Sequence, residues 1–293
     1  MTLALTLALS LTVTPVVAQQ QAADLQFPSE ISEFGLFTSP HMAIYKPKGA
    51  GPFPALVLLH QCGGLGAGNW RNESMLEWAR QAVTRGYVAM LVDSLGPRGV
   101  DTVCLGAKGG VTFARGARDA LQAAEHLQKF DFVDARRIAL AGYSWGAMVG
   151  VFGNSTQRSS SLLPNVRFAA TVSFYPGCFR VGPANSSYEI VAPDIDRPLL
   201  VMMGELDNET PAEECIAKLG KVKEGGAPIE WHVYPKTTHC WDCRNLDGRS
   251  KVDFRGNTIV YRYSKEVTDD SAQRMFGFLD RIMGSRPPVQ PSQ

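Results

Sequence analysis

Three side chains far apart in this chain have the types and order needed for nucleophilic acyl chemistry. Ser144 lies in Gly142-Tyr143-Ser144-Trp145-Gly146, after an apolar strand-like run and before a stretch that reads as a helix. A serine between two glycines at such a junction is a nucleophile elbow, a sharp turn that lifts the hydroxyl above the sheet edge. That hydroxyl is weak at neutral pH and needs a base. The base is a histidine, which in turn needs a carboxylate to fix its tautomer and stabilise the imidazolium. Of His41, His60, His126, His232 and His239, only His239 follows the last core strand in a loop. Asp207 follows the apolar run 198–203, giving the order Ser144, Asp207, His239; Glu205 in the same loop is an alternative acid. Asp93 precedes the serine and reads as a turn cap.

A tetrahedral oxyanion needs two fixed N–H donors. The amide of Trp145, next after the nucleophile, is one. The other is expected in His60-Gln61-Cys62-Gly63-Gly64, at Cys62 or Gln61, with His60 bracing the loop. Gln61, Trp70, Tyr175 and Trp241 are candidate substrate-binding residues.

These groups need a frame. The continuous apolar run 55–59 reads as a central strand buried on both faces, and 87–92, 137–142, 168–174, 198–203 and 229–234 read as further core strands. Helical spacing fits 70–85, 113–128, the stretch after Gly146, 211 to about 221, and about 270 to 283. Residues 41–46 read as an edge strand, and 252–254 with 258–261 as a hairpin around Gly256-Asn257. Alternating strands and helices predict an α/β fold with a mostly parallel sheet covered on both sides, its active groups at the carboxyl ends of strands.

The uncharged, apolar residues 1–18 read as a secretory signal peptide cleaved after Ala18, since Pro15 interrupts the run as a membrane span. The expected organisation is a signal peptide over 1–18, a lead-in over 19–46, one domain over 47–284 and a disordered tail over 285–293. No membrane attachment is expected after cleavage. A formal net charge of +1, from 29 basic and 28 acidic residues, gives no reason to expect nucleic acid as a partner. Six cysteines in an exported chain favour disulfides over metal ligands, and their pairing is left open by the spacing. Cys240-Trp241-Asp242-Cys243 has no second C-x-x-C to complete a zinc site, so neither metal nor cofactor is expected.

Taken in order, the His60–Gly64 loop, Asp93 with Pro97-Arg98-Gly99, the elbow, Gly204-Glu205-Leu206-Asp207 with Pro211, and His239 resemble the dienelactone hydrolase family of α/β-hydrolases. The resemblance spans most of the chain from about Pro47. It implies Ser144 as nucleophile, Asp207 as acid, His239 as base, and the Cys62 and Trp145 amides as oxyanion donors. Family members that open dienelactones carry cysteine where this chain has Ser144, and glutamate where it has Gln61; the departures point to a general small-molecule ester. The likeness is to a secreted, serine-nucleophile branch, in which Cys62 would pair with Cys104, Cys178 with Cys215, and Cys240 with Cys243. A secreted or periplasmic ester hydrolase is expected. Amide or peptide cleavage by the same triad, and a non-catalytic binding protein on this scaffold, are the alternatives.

Overall fold

Strands made mostly of apolar residues give the chain its centre. The computed structural model describes residues 22–35, 40–66, 71–253 and 256–284. The leader expected over 1–18, Trp70 and the tail over 285–293 lie outside the described residues. In chain order the elements are β1 (Ala43–Tyr45), β2 (Phe53–Leu59), α1 (Glu73–Thr84), β3 (Val88–Val92), α2 (Phe113–Leu127), β4 (Val133–Tyr143), α3 (Trp145–Gly153) and α4 (Thr156–Leu162). Then follow β5 (Thr171–Phe174), β6 (Arg180–Val181), β7 (Tyr188–Glu189), β8 (Leu199–Gly204), α5 (Ala212–Glu224), β9 (Ile229–Tyr234), β10 (Ser250–Val252), β11 (Thr258–Val260) and α6 (Lys265–Met283).

The main sheet runs β1-β3-β2-β4-β5-β8-β9. Only β1, at one edge, is antiparallel to its neighbour. This is the α/β fold, with helices on both faces of a mostly parallel sheet. Successive side chains of a strand point to opposite faces, and β2 shows why none of its residues is polar. Leu56 and Leu58 pack with Met75 and Trp78 of α1 and Phe278 of α6. Val57 and Leu59 pack with Ala120 and Leu121 of α2 and Val149 of α3. Each fully buried Val or Leu contributes about 1.5–3 kcal/mol, so this strand is a principal source of stability as well as a support for the loop after it.

Several boundaries differ from the sequence expectation. Helix α6 begins at Lys265, earlier than the expected 270, because the Ser264 side chain caps it by accepting from the Val267 amide. The β10–β11 hairpin pairs Ser250 with Val260 and Val252 with Thr258. Its connection is longer than a two-residue turn, because the Asp253 carboxylate accepts from the Asn257 amide and closes a wider loop. The small β6–β7 hairpin and α4 had no counterpart in the reading of the sequence; the paired segments of β6 and β7 are too short to show a period. Three disulfides, Cys62–Cys104, Cys178–Cys215 and Cys240–Cys243, use all six cysteines. No helix among the described residues is long and apolar enough to cross a membrane.

The loop after β3 is anchored by a buried charge cluster. Asp119 of α2, fully buried, accepts both guanidinium arms of Arg98 at 2.7 and 2.8 Å. It also accepts from Arg115 at 2.9 Å, one helical turn away. Removing this carboxylate would leave two largely buried cations short of their shared partner. Asp119→Ala is therefore expected to lower the free energy of unfolding by about 3–5 kcal/mol. Urea unfolding followed by circular dichroism measures this, and a loss below about 1 kcal/mol would contradict it.

Candidate active site

The turn at Ser144 is strained, and its two glycines make the strain tolerable. Ser144 joins β4 to α3 with φ +51° and ψ −111°, a conformation that costs a residue with a side chain about 1–3 kcal/mol. Its amide donates to the Phe174 carbonyl at 3.0 Å, so β5 holds the turn in place. A Cβ on Gly142 would lie 2.1 Å from the Gly146 carbonyl oxygen, and one on Gly146 would lie 2.3 Å from that of Leu59. With hydrogen in both places, the Gly146 amide reaches the His60 carbonyl at 3.1 Å. The start of α3 is thereby stitched to the loop that leaves β2.

Four loops, all at carboxyl ends of parallel strands, converge here: those after β2, β4, β8 and β9. His239 Nε2 lies 3.0 Å from Ser144 Oγ, and its Nδ1 lies 2.7 Å from Asp207 Oδ2. Asp207 is itself held, with Oδ1 accepting from the Glu209 and Thr210 amides and Oδ2 from the Thr210 hydroxyl at 2.8 Å. The alternative acid, Glu205, is turned away and accepts from the Lys236 amide. Asp93 caps its own turn through the Leu95 and Gly96 amides. Burial disfavours a charged His239, yet the carboxylates of Asp207 and then Glu209 outweigh it and raise the imidazole above the usual histidine range. An imidazole poised in this way can take a proton from Ser144 and return it to a leaving group.

His60 braces the neighbouring loop from a fully buried position. Ser94 N–H donates to its Nε2 at 3.1 Å, which assigns the proton to Nδ1, 2.6 Å from the Gln61 carbonyl. Burial pushes this imidazole below the usual range, toward the neutral form. The carbonyl of Cys62 is fixed by the Val103 amide at 2.9 Å and the Thr102 hydroxyl at 3.2 Å. The Cys62 and Trp145 amides donate to no other group among the described residues. Both residues line the same cavity as Ser144.

That cavity holds about 410 Å³. Its wall is mainly apolar, with Val103, Val111, Phe113, Met148, Phe179 and Val181. Of the residues expected to bind substrate, Gln61, Tyr175 and Trp241 are not part of this wall; they form a buried layer beneath the site. Tyr175 and Trp241 are fully buried, their rings edge-to-face at 4.8 Å, and Tyr175 also meets the His239 ring at 4.7 Å. The Tyr175 hydroxyl accepts from Gln61 Nε2 and donates to Asp242 Oδ1 at 2.7 Å, while Trp78 Nε1 donates to Asp242 Oδ2 at 2.7 Å. Aromatic size and loop position suggested a pocket for Tyr175 and Trp241, but this polar network turns Tyr175 inward, and Trp241 is buried with its Nε1 donating to Ser271 Oγ at 3.4 Å. Trp70 lies outside the described residues. Reading the sequence missed Glu209 and Lys251, which also line the cavity. Proximity to Asp207 was the one available signal for Glu209; nothing local marks Lys251.

Comparison with known proteins gives a consistent family. Residues 41–283 match the model of the dienelactone hydrolase family. No curated protein matches the sequence. Among solved structures, the chain is similar to a candidate dienelactone hydrolase from Klebsiella pneumoniae subsp. pneumoniae, with TM-score 0.62 and 19% identity over 82% of this chain and 93% of that one. It is also similar to esterase 2 of Thermogutta terrifontis with propionate bound, with TM-score 0.56 and 15% identity over 84% and 90% of the two chains. At these identities the likeness is one of fold.

The approach of α3 to the β2 loop is the feature most exposed to a single change. Gly146→Ala is expected to force the two apart and to slow fluorophosphonate labelling of Ser144 by about 100-fold or more, the scale of losing one fixed N–H donor. Mass spectrometry of labelled protein reads the rate, and circular dichroism checks that the helices are kept; undiminished labelling would contradict the geometry.

Proposed function

Because the chain belongs to the dienelactone hydrolase family, we propose that it hydrolyses carboxylic esters through an acyl-enzyme on Ser144. The observation that carries this reading is the chain of contacts from Ser144 Oγ to His239 Nε2 at 3.0 Å and from His239 Nδ1 to Asp207 Oδ2 at 2.7 Å. His239 removes the hydroxyl proton as Oγ attacks the ester carbonyl carbon. Asp207 holds the ring in the tautomer that leaves Nε2 free to accept. The carbonyl oxygen, now an oxyanion, is met by the Cys62 and Trp145 amides at the positive end of α3. Collapse breaks the bond to the alcohol, which takes the proton from Nε2 as it leaves. Water, deprotonated by the same imidazole, then attacks the acyl carbon; the bond to Ser144 Oγ breaks, Oγ takes the proton back from Nε2, and the acid is released.

The mainly apolar wall of the cavity supports a neutral ester with an apolar acyl part as substrate. Three disulfides support an oxidising compartment, secreted or periplasmic, as the place of work.

Ser144→Ala is expected to reduce hydrolysis of short p-nitrophenyl esters by about 10,000-fold or more, with the thermal unfolding midpoint retained. A fluorophosphonate probe should label the parent protein and spare the variant. Ester hydrolysis that survives the substitution would overturn the assignment of Ser144.

A further inference from the structure

His239 has a carboxylate at each end of its ring. Asp207 meets Nδ1 by a hydrogen bond. On the other side, Glu209 Oε2 stands 3.9 Å from Nε2, the nitrogen that faces Ser144. This distance is too long for a hydrogen bond, so Glu209 acts on the ring as a charge. It is held there by the β10–β11 hairpin: Lys251 Nζ donates to Oε1 at 2.7 Å, and the Tyr261 hydroxyl donates to Oε2 at 2.9 Å. A third tie, from Asn208 Nδ2 to the Thr258 carbonyl at 2.9 Å, joins the same two segments. Glu209 is only 17% exposed, so its field is screened less than that of a surface pair.

We propose that Glu209 is a positioning residue acting through His239, holding the imidazolium that forms when Nε2 takes the Ser144 proton, with Lys251 setting the strength of that hold. The proposal rests on the ester hydrolase reading. In the forward step the proton passes from Ser144 Oγ to Nε2 as the oxygen–carbon bond forms, and then from Nε2 to the departing alcohol oxygen. Glu209 exchanges no proton in either step.

The groups around the ring allow the sign to be worked out. Asp207 and Glu209 come from the loop after β8, Tyr175 from the end of β5, Lys251 from β10, and Tyr261 from the segment after β11. Asp242 belongs to the ring's own loop, and Ser144 comes from the elbow. Burial lowers the basicity of His239, the Asp207 and Glu209 carboxylates raise it, and Lys251 lowers it. The base works when neutral, so activity rises with pH through the titration of His239. Losing the Glu209 charge moves that rise to lower pH, and losing the Lys251 charge moves it to higher pH. A residue that merely clasps the hairpin predicts no such opposition, since both substitutions loosen the same clasp.

The test compares the parent protein with Glu209→Gln and Lys251→Met. The pH dependence of kcat and kcat/KM for p-nitrophenyl butyrate is measured between about pH 5 and pH 9, alongside NMR titration of the His239 imidazole. Glu209→Gln should move both the acid limb and the titration down by about half a pH unit or more, and Lys251→Met should move both up by a similar amount. The Gln variant should also lose about 10-fold in kcat with little change in KM, as expected when stabilisation is removed from the transition state alone. Shifts of the same sign in the two variants, or no shift in either titration, would overturn the proposal. The NMR titration needs no substrate, so it decides the role of Glu209 even if the ester hydrolase reading fails.

Discussion

At Gly146 the first turn of α3 lies against the end of β2 so closely that a single methyl group would have to occupy the space of a carbonyl oxygen. The Gly146 amide uses that proximity to hold the His60 carbonyl. Because His60 in turn accepts from the Ser94 amide, one short contact ties the turn at Ser144 to the loops that follow β2 and β3. The buried Asp119 cluster secures the far side of the β3 loop through Arg98. What looks like a serine on a tight turn is thus the centre of a brace that runs across three neighbouring strands.

Around that brace the surrounding segments divide the work by polarity. Beneath His239, the layer of Tyr175, Trp241, Gln61 and Asp242 is packed and hydrogen bonded. Burial raises the Asp242 carboxyl above the usual range, opposed by the hydrogen bonds from Trp78 and Tyr175. Above the site, segments from outside the main sheet wall the cavity: the Cys104 loop, the β6–β7 hairpin and the β10–β11 hairpin. The lower layer fixes the direction of the histidine, whereas the upper one shapes what can approach the serine. Glu209 belongs to both, because it shares a loop with Asp207 and is gripped by the hairpin.

The positions of Ser144, Asp207 and His239 were legible in the sequence because each lies in a loop shortly after a strand-like run, and the runs before Ser144 and Asp207 are strongly apolar. The loop at Cys62 was legible for the same reason. Side-chain direction was not. Tyr175 and Trp241 are aromatic residues in the expected loops, yet partners distant in sequence, Gln61 for Tyr175 and Ser271 for Trp241, help turn them into the interior. The ion pair of Glu209 with Lys251 is equally silent, since it joins a post-strand loop to a hairpin and leaves no local pattern. Helix α6 started earlier than expected because a single capping serine, Ser264, outweighed a weak period in the residues it recruits.

The Cys62–Cys104 link closes a loop with a sequence separation of 42 that contains α1 and β3. In the chain-entropy picture such a link removes about 4 kcal/mol of disorder from the unfolded state. The folded protein inherits a second effect. The Cys62 turn, held by sulfur and by Val103 and Thr102, surrendered its freedom when the chain folded. A molecule entering the cavity therefore meets a wall that need not be ordered on arrival. More of its binding free energy is then left for bending the bond that is to break.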